Sequence, residues 1–314
     1  MENQSLDIIT IGESLIELSS DTNLSNTKCL YKYYGGDSLV SAVAASRLGA
    51  KVGFITRVGN DPFKDYLMDS WVSEGLDISQ VKISNEPNGF YFITRPSVQE
   101  KEIIYYRKKV AQSKISIDDI NEDYISCAKI VYTTGTTQSI SLSSGEAVLK
   151  AYEFAKKHGV LTAYDPNYSS FVHTPETAKE NFHKVITNVD ILFMSTKHDT
   201  GSILELDSIE NIIRNIWDMG VNIVVLKSSE KGGYYTGVNG NIEFCEFYTK
   251  EVVDTTCSGD AFNGAFMYGI THGYTPNEAT NLASVVAGLQ AKGIGAIKSV
   301  PYAGEVFSIF KRGS

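Results

Sequence analysis

Short apolar runs alternate with amphipathic stretches along most of the chain. Residues 7–11 form a brief apolar run closed by Gly12. It predicts a strand. The following SLIELSSD alternates at Leu15, Glu17 and Ser19, the period of a strand with two unlike faces. CLYKYY, ending in Gly35-Gly36, predicts another strand. Residues 38–48 are small and alanine-rich and predict a helix stopped by Gly49. Residues 52–57 return as a strand. Pro62 then predicts a helix start, with Asn60-Asp61 as its cap. Residues 89–109 break the rhythm. NGFYFITRPS and KEIIYYRKK are aromatic, β-branched runs that predict an antiparallel hairpin. From Lys129 the alternation resumes. IVYTTG, VLTAYDP, VDILFMS and VNIVVLKSS are strands, separated by helices running to His158, near 176–187 and near 209–219. GGYYTGV and NIEFCEF form a second hairpin, and residues 257–273 and 276–292 are helices. Continuous apolar strands alternating with helices predict an α/β fold whose parallel sheet is covered on both faces. The early strands and the 89–109 hairpin predict a smaller sheet protruding from that body.

The chain has 314 residues, room for one large α/β domain or two units, and no Pro- or Ser-rich linker divides it. With 28 Lys plus Arg against 37 Asp plus Glu, its net charge is -9. That balance argues against nucleic acid and anionic membranes as partners, and an anionic substrate needs a local positive feature. The four cysteines, Cys29, Cys127, Cys245 and Cys257, fit no zinc spacing and read as reduced thiols. The N-terminus has neither a basic start nor a long apolar run, and no stretch reaches the ~18 apolar residues of a membrane span. A cytoplasmic protein is expected.

Two segments carry candidate chemistry. In Asp254-Thr-Thr-Cys-Ser-Gly-Asp260, a turn of small residues runs into the small-residue helix AFNGAF. Backbone N–H groups at such a helix start are a ready anion site, and Asp260 stands beside it. A plain N-cap role for Asp260 is the competing reading. In Gly35-Gly36-Asp37 the paired glycines let a ligand approach closely, and Asp37 offers a carboxylate to sugar hydroxyls. A helix cap is again the alternative.

Together these segments carry a resemblance. GGDSLVSAVAASRLGAKVGFITRVGNDPFKDYL resembles the first signature of the ribokinase-like (PfkB) carbohydrate kinases. VVDTTCSGDAFNGAF is similar to their second, where DTTGAGD is usual. The leading IGES, the late SVP at 299–301 and the spacing agree, so the resemblance covers nearly the whole chain. It implies one ribokinase-like domain over 1–314, with a β-lid from about 14–36 and 89–110 that covers the sugar and builds a homodimer. It implies ATP γ-phosphoryl transfer to a primary sugar hydroxyl. Asp260 becomes the base, and the backbone amides of Cys257, Ser258 and Gly259 become the anion hole. Mg2+ is expected through phosphates and water rather than a dedicated protein site, and a monovalent cation fits the same pattern.

EIIYYRKKVAQSKIS is similar to the YYR segment of the 2-keto-3-deoxygluconate kinase subgroup. On a strand Tyr105 and Arg107 share a face, and a hydroxyl beside a guanidinium can hold a sugar-acid carboxylate. A surface arginine on a lid strand is the alternative. By resemblance Gly35, Gly36, Asp37, Tyr91 and, in DPNYSS, Asn167 face the sugar. Ser195, Lys227, Ser229, Gly232 and Ser284 fall on the nucleotide side. Departures from the pattern are Ser169 for an arginine, Val40 for asparagine, His198 for glutamate, Cys257-Ser258 for glycine-alanine and Ser284 for asparagine. His198 has no partner histidine at helical spacing for a transition metal. The other four histidines, His173 among them, read as surface residues. Cys257 is either a reactive thiol at a helix start or a passive small residue. The expected substrate is 2-keto-3-deoxygluconate or a related sugar acid. The alternatives are a fructokinase- or other ketose-type kinase, and a sugar-binding sensor without turnover.

Overall fold

The computed structural model describes residues 6–96 and 102–311; residues 97–101 of the expected lid hairpin lie outside the described residues. Strand β1 (Leu6–Ile11) is buried at every position, as a strand covered on both faces must be. It pairs in parallel with β4 (Val52–Ile55) and with β9 (Ala128–Thr134). Beyond β9 the sheet continues through β10 (Leu161–Asp165), β11 (Ile191–Ser195) and β12 (Ile223–Ser228), all parallel. The hairpin β13 (Gly233–Val238) and β14 (Asn241–Glu246) closes that edge antiparallel, completing eight strands in the order β14-β13-β12-β11-β10-β9-β1-β4.

Each face carries its own apolar cluster. One is formed with α1 (Asp37–Leu48), α2 (Lys64–Ser73), α8 (Ser258–Thr271), α9 (Pro276–Gln290) and α10 (Ala303–Ile309). The other is formed with α3 (Glu122–Ser126), α5 (Leu142–Lys157), α6 (Pro175–Val185) and α7 (Ile209–Asp218). The short α4 (Gly135–Ser139) follows β9 directly. The small residues of α1 and α8 let these helices touch. A Cβ on Gly264 would meet the Ser41 carbonyl at 2.1 Å. Arg47 clamps α1 to the chain end: its guanidinium takes both oxygens of Glu74 at 2.6 and 2.8 Å and donates to the Ile297 and Val300 carbonyls.

A second sheet sits over the carboxyl ends of the main strands. Its order is β3 (Tyr31–Gly35), β2 (Leu15–Ser20), β7 (Phe90–Thr94) and β8 (Glu102–Tyr106). The outer pairs are antiparallel, while β2 and β7 run parallel. Alternation puts Leu15, Tyr91 and Ile93 on the inner face, packed with Ile103 and Tyr105. Phe90, Phe92, Ile104 and Tyr106 take the outer face, with Phe90 and Tyr106 stacked at 4.9 Å.

The local expectations fail at three places. Residues 52–57 are two strands: β4 ends at Ile55, and β5 (Arg57–Gly59) leaves to pair with the unforeseen β6 (Lys82–Ser84). On β5, the Arg57 guanidinium donates to Asp119 at 2.6 Å. Helix α2 starts at Lys64, after Pro62, with Phe63 as its cap. Asp61 instead ties the loop, accepting from the Phe63 amide at 2.9 Å and from the Asn88 amide at 2.7 Å. His173 is half-buried rather than on the surface, and burial, with Arg107 nearby, pushes its pKa down to about 4.

Candidate active site

The parallel order reverses at β1, whose neighbours β4 and β9 are reached by connections on opposite sides. Ligands of open α/β sheets bind at the carboxyl ends of strands by such a switch point. Five strands deliver polar residues there: Glu13 follows β1, Thr134 ends β9, Asp165 ends β10, Ser195 ends β11 and Lys227 lies near the end of β12.

Gly36 is required at the first of these places. Its φ is 149°, and a Cβ would lie 2.2 Å from the Glu13 carbonyl oxygen. The next residue, Asp37, opens α1 with its carboxylate fully engaged. It accepts from the Ser38 amide at 2.6 Å, the Ser38 hydroxyl at 3.0 Å, the Thr134 hydroxyl at 2.7 Å and Asn167 Nδ2 at 3.2 Å. Asn167 holds a left-handed φ of 43°, supported by its amide's bond to Asp165 Oδ1 at 3.0 Å. Its Nδ2 also reaches Asp260 Oδ1 at 3.3 Å, so one amide group spans the two carboxylates. Burial, then the Asp37 charge, pushes the Asp260 pKa up to about 8, against the pull of Lys227.

Asp260 stands in the first turn of α8. The cap, Cys257, has φ 59°, a strained conformation for a residue with a Cβ. The Ser258 amide donates to the Thr255 carbonyl at 3.2 Å, so the resting turn already engages one of the three expected donors. Beneath lies Lys227, buried and paired with Asp165 Oδ2 at 2.5 Å. Burial disfavours its charge, but Asp165 outweighs that and holds its pKa above the ordinary value. Asn263 Nδ2 donates to the same Asp165 oxygen at 2.6 Å. A Cβ on Gly259 would come 3.4 Å from the ammonium; the bare glycine leaves Lys227 facing the cavity above. This cradle of helix amides and ammonium suits the phosphates of a nucleotide.

Two cavities meet at this point. One of about 250 Å³ is lined by Glu13, Gly36, Asp37, Tyr91, Tyr105 and Arg107. The other, of about 480 Å³, is lined by Ser195, Lys227, Ser229, Ser258, Gly259 and Ser284. Asn167, Cys257 and Asp260 belong to both. Ser284 secures the far wall, accepting from the Tyr248 amide and donating to the Glu246 carbonyl, each at 3.0 Å. His198 also lines the larger cavity, and behind it Asp199 accepts from the Ser195 and Tyr168 amides. Burial, then Asp165, pushes the Asp199 pKa up to about 7. Among the described residues no three His, Cys, Asp or Glu side chains form a metal-ligand cluster.

At three expected positions the surroundings differ from an open cavity wall. Gly232 lies in the turn before β13, with φ 70°, and does not line the nucleotide-side cavity. Gly35 lies behind Tyr91, where a Cβ would meet the phenol oxygen at 2.7 Å, and not at the cavity wall. Arg107 does reach the smaller cavity, one residue beyond β8, but it already has an anion: its Nη2 lies 2.9 Å from Glu13 Oε2. Burial pushes the Glu13 pKa up to about 7, with Arg107 opposing and Asp37 adding. The Tyr91 hydroxyl donates to Glu17 at 2.5 Å. Glu13, Glu17, Asp165 and Asn263 were not singled out from the sequence. Glu13 and Asp165 did carry one signal, an acid directly after an apolar strand.

The pfkB family carbohydrate kinase model matches residues 5–303. A 5-dehydro-2-deoxygluconokinase of Clostridium perfringens is 29% identical over 297 residues, spanning 92% of this chain and 88% of its own. Another, from Bacillus velezensis, is 27% identical over 325 residues, spanning 99% and 96%. Among solved structures, the 2-dehydro-3-deoxygluconokinase of Thermotoga maritima superposes with a TM-score of 0.87 at 21% identity, covering 97% of this chain and 99% of that one. A ribokinase II-type chain from E. coli, in complex with ATP and Mg2+, gives 0.88 at 23% identity over 96% and 98%. With a family match across nearly its whole length, the chain belongs to the pfkB family of carbohydrate kinases, sugar kinases that take their phosphate from ATP.

Proposed function

We propose that this kinase phosphorylates the primary hydroxyl of a keto-deoxy derivative of gluconate. The expectation from the YYR segment was 2-keto-3-deoxygluconate. The names of the sequence relatives, at 26–29% identity, move 5-dehydro-2-deoxygluconate to first place. The observation that carries the reading is the pair of cavities meeting at Asp260, with Arg107 at the wall of the smaller one.

In this proposal Asp37 and Asn167 orient the sugar hydroxyls, and Asp260 takes the proton of the attacking one. A base whose pKa lies near 8 has a strong drive to accept that proton. ATP with Mg2+ supplies the phosphoryl group and part of the neutralising charge. The cradle at Ser258 and Gly259, with Lys227 beneath, holds the phosphates on the chain's side. Ser195, Ser229 and Ser284 form the walls of the nucleotide cavity. Arg107 takes the substrate carboxylate, which displaces or shares it with Glu13. The smaller sheet acts as the lid over the sugar.

A neutral ketose is the second reading, and Glu13 is the observation that favours it. A buried guanidinium without an anion would cost several kcal/mol. The Glu13 carboxylate at 2.9 Å removes that penalty, so an empty or ketose-filled pocket is tolerable. The separating test is kcat/KM for 5-dehydro-2-deoxygluconate, 2-keto-3-deoxygluconate and fructose in one assay. Preference for either acid supports the first reading; preference for fructose replaces it with the second.

A further inference from the structure

The lid and the turn before α8 are joined by one ion pair. Arg95 lies one residue past β7, the strand that carries Tyr91 into the sugar cavity. Its backbone amide donates to the Ser20 carbonyl at 3.0 Å and its Nη1 to the Ser19 hydroxyl at 3.2 Å, so from the end of β7 it is fixed to β2. Its Nε and Nη2 reach Asp254 Oδ2 at 3.0 and 2.9 Å. The other Asp254 oxygen accepts from the Thr256 amide at 2.9 Å and from the Thr256 hydroxyl. One carboxylate thus has an oxygen on the lid and an oxygen on the turn.

Both side chains are nearly buried, at 10% and 7% exposure, so the pair is not a solvent-screened contact. On its far side the turn is held by α9, where Gln290 Nε2 donates to the Thr256 carbonyl at 2.7 Å. Thr256 and Cys257 line the sugar cavity, and Cys257 also lines the nucleotide cavity. Two residues beyond the second anchor, the Ser258 amide donates to the Thr255 carbonyl in the resting turn.

We propose that Arg95 is a positioning residue: through Asp254 it ties the lid to the phosphate-side turn, so that sugar seated under the lid sets the turn for phosphoryl transfer. Arg95 lines neither the sugar cavity nor the nucleotide cavity. It acts through Asp254 and Thr256 on the backbone of residues 255–259.

Hydrogen exchange on the ligand-free protein tests the tie without reference to the acceptor. In Arg95→Met, amides of residues 254–259 and of the end of β7 should both exchange faster, by about tenfold or more, as expected when a local opening unit loses its anchor. Kinetics with 5-dehydro-2-deoxygluconate test the consequence, and this arm alone rests on the proposed substrate. Arg95→Met should lose about tenfold in kcat, as expected for a misplaced reacting geometry. The equilibrium dissociation constant for ATP without sugar should stay within about twofold, since a tenfold rise in a rare opening leaves the closed turn dominant. Arg95→Lys should recover part of the loss. Arg95→Met combined with Asp254→Asn should be no worse than Asp254→Asn alone. If Arg95→Met fails to fold, Arg95→Lys is read for the same exchange pattern at smaller amplitude. Unchanged exchange at 254–259, or kcat losses that multiply in the double variant, would overturn the tie. A wild type inactive on the acid while the exchange result holds would overturn only the substrate.

Discussion

In the proposed reaction Asp260 has two opposed duties, one in the fold and one in the chemistry. Its folded pKa, about 8, stands above the ordinary 3.8. Such a group contributes stability that is complete below 3.8 and is lost as pH rises through about 8. Asp260→Asn should therefore melt above wild type at pH 8.5, by about 3 °C or more, and the gap should close toward pH 4. The same variant should lose about 10²-fold or more in turnover while still binding ATP. Near-normal turnover, or a lower melting temperature at pH 8.5, would remove Asp260 from the role of buried base. In wild type, kcat/KM should rise with pH and level off near pH 8, because only the deprotonated carboxylate accepts the proton. A flat profile from pH 6 to 9 would contradict it. Glu13→Gln gives a separate check. Freed of its anion, Arg107 should lower KM for a sugar acid and leave fructose no better; equal changes for both would show that Glu13 does not govern charge selection. At this scale the sequence was legible where a residue carries its own local signal, as Asp37 and Asp260 do at helix starts. Glu13 and Asp165 carried only the signal of an acid at the end of an apolar strand and Glu17 carried none; what they do depends on partners 94, 62 and 74 positions away, and no local pattern encodes those.

The helices that matter most have weak amphipathic patterns. α1 and α8 are buried almost all round, so periodicity marks them less clearly than the glycine and carboxylate at their starts. Their contact fixes the distance between Asp37 and Asp260, and Ser41 locks it by donating to the Asp260 carbonyl at 2.8 Å. Arg47 secures α1 from behind. Arg47→Ala would leave Glu74 buried without its cation and should cost about 3 kcal/mol or more in urea unfolding. A change within 1 kcal/mol would mark the clamp as incidental. The strand alternation of the lid was legible, and so was the hairpin. The parallel pairing of β2 with β7 was not, because partners such as Ser20 and Thr94 lie 74 positions apart, with the main sheet's first crossover between them. The lid's outer face leaves Ile104 and Tyr106 43% and 52% exposed beside Phe90 and Phe92. An exposed aromatic sheet face is an association site. We propose that two copies pair through it, and light scattering at micromolar concentration should give twice the chain mass. Ile104→Glu should return the monomer mass; a monomeric wild type would remove the proposal.

Across the whole molecule, net charge and site charge pull the same way. The chain carries -9, and the sugar-side cavity adds Glu13, Asp37 and Asp260 to its wall. An anionic nucleotide, and in the proposed function an anionic sugar, must enter this field, so local cations matter. Lys227 stands at the larger cavity and Arg107 at the smaller, each resting against a carboxylate of its own. The alternation of strands and helices made the parallel sheet legible before its order was known. The eight-strand order then explains why residues as far apart as Glu13 and Lys227 converge: each follows or ends a strand whose carboxyl end faces one crevice. In the proposed function, Arg107 and Glu13 together decide whether an acid or a neutral ketose fills that crevice, and one comparison addresses it most directly. The measurement is kcat/KM for 5-dehydro-2-deoxygluconate and for fructose, in wild type and in Arg107→Ala. Wild type should prefer the acid, and Arg107→Ala should lower the acid's kcat/KM by about tenfold or more, the scale of a lost charge-assisted bond, while fructose stays within about twofold. Preference for fructose in wild type, or an equal loss for both substrates in Arg107→Ala, would contradict a kinase of sugar acids.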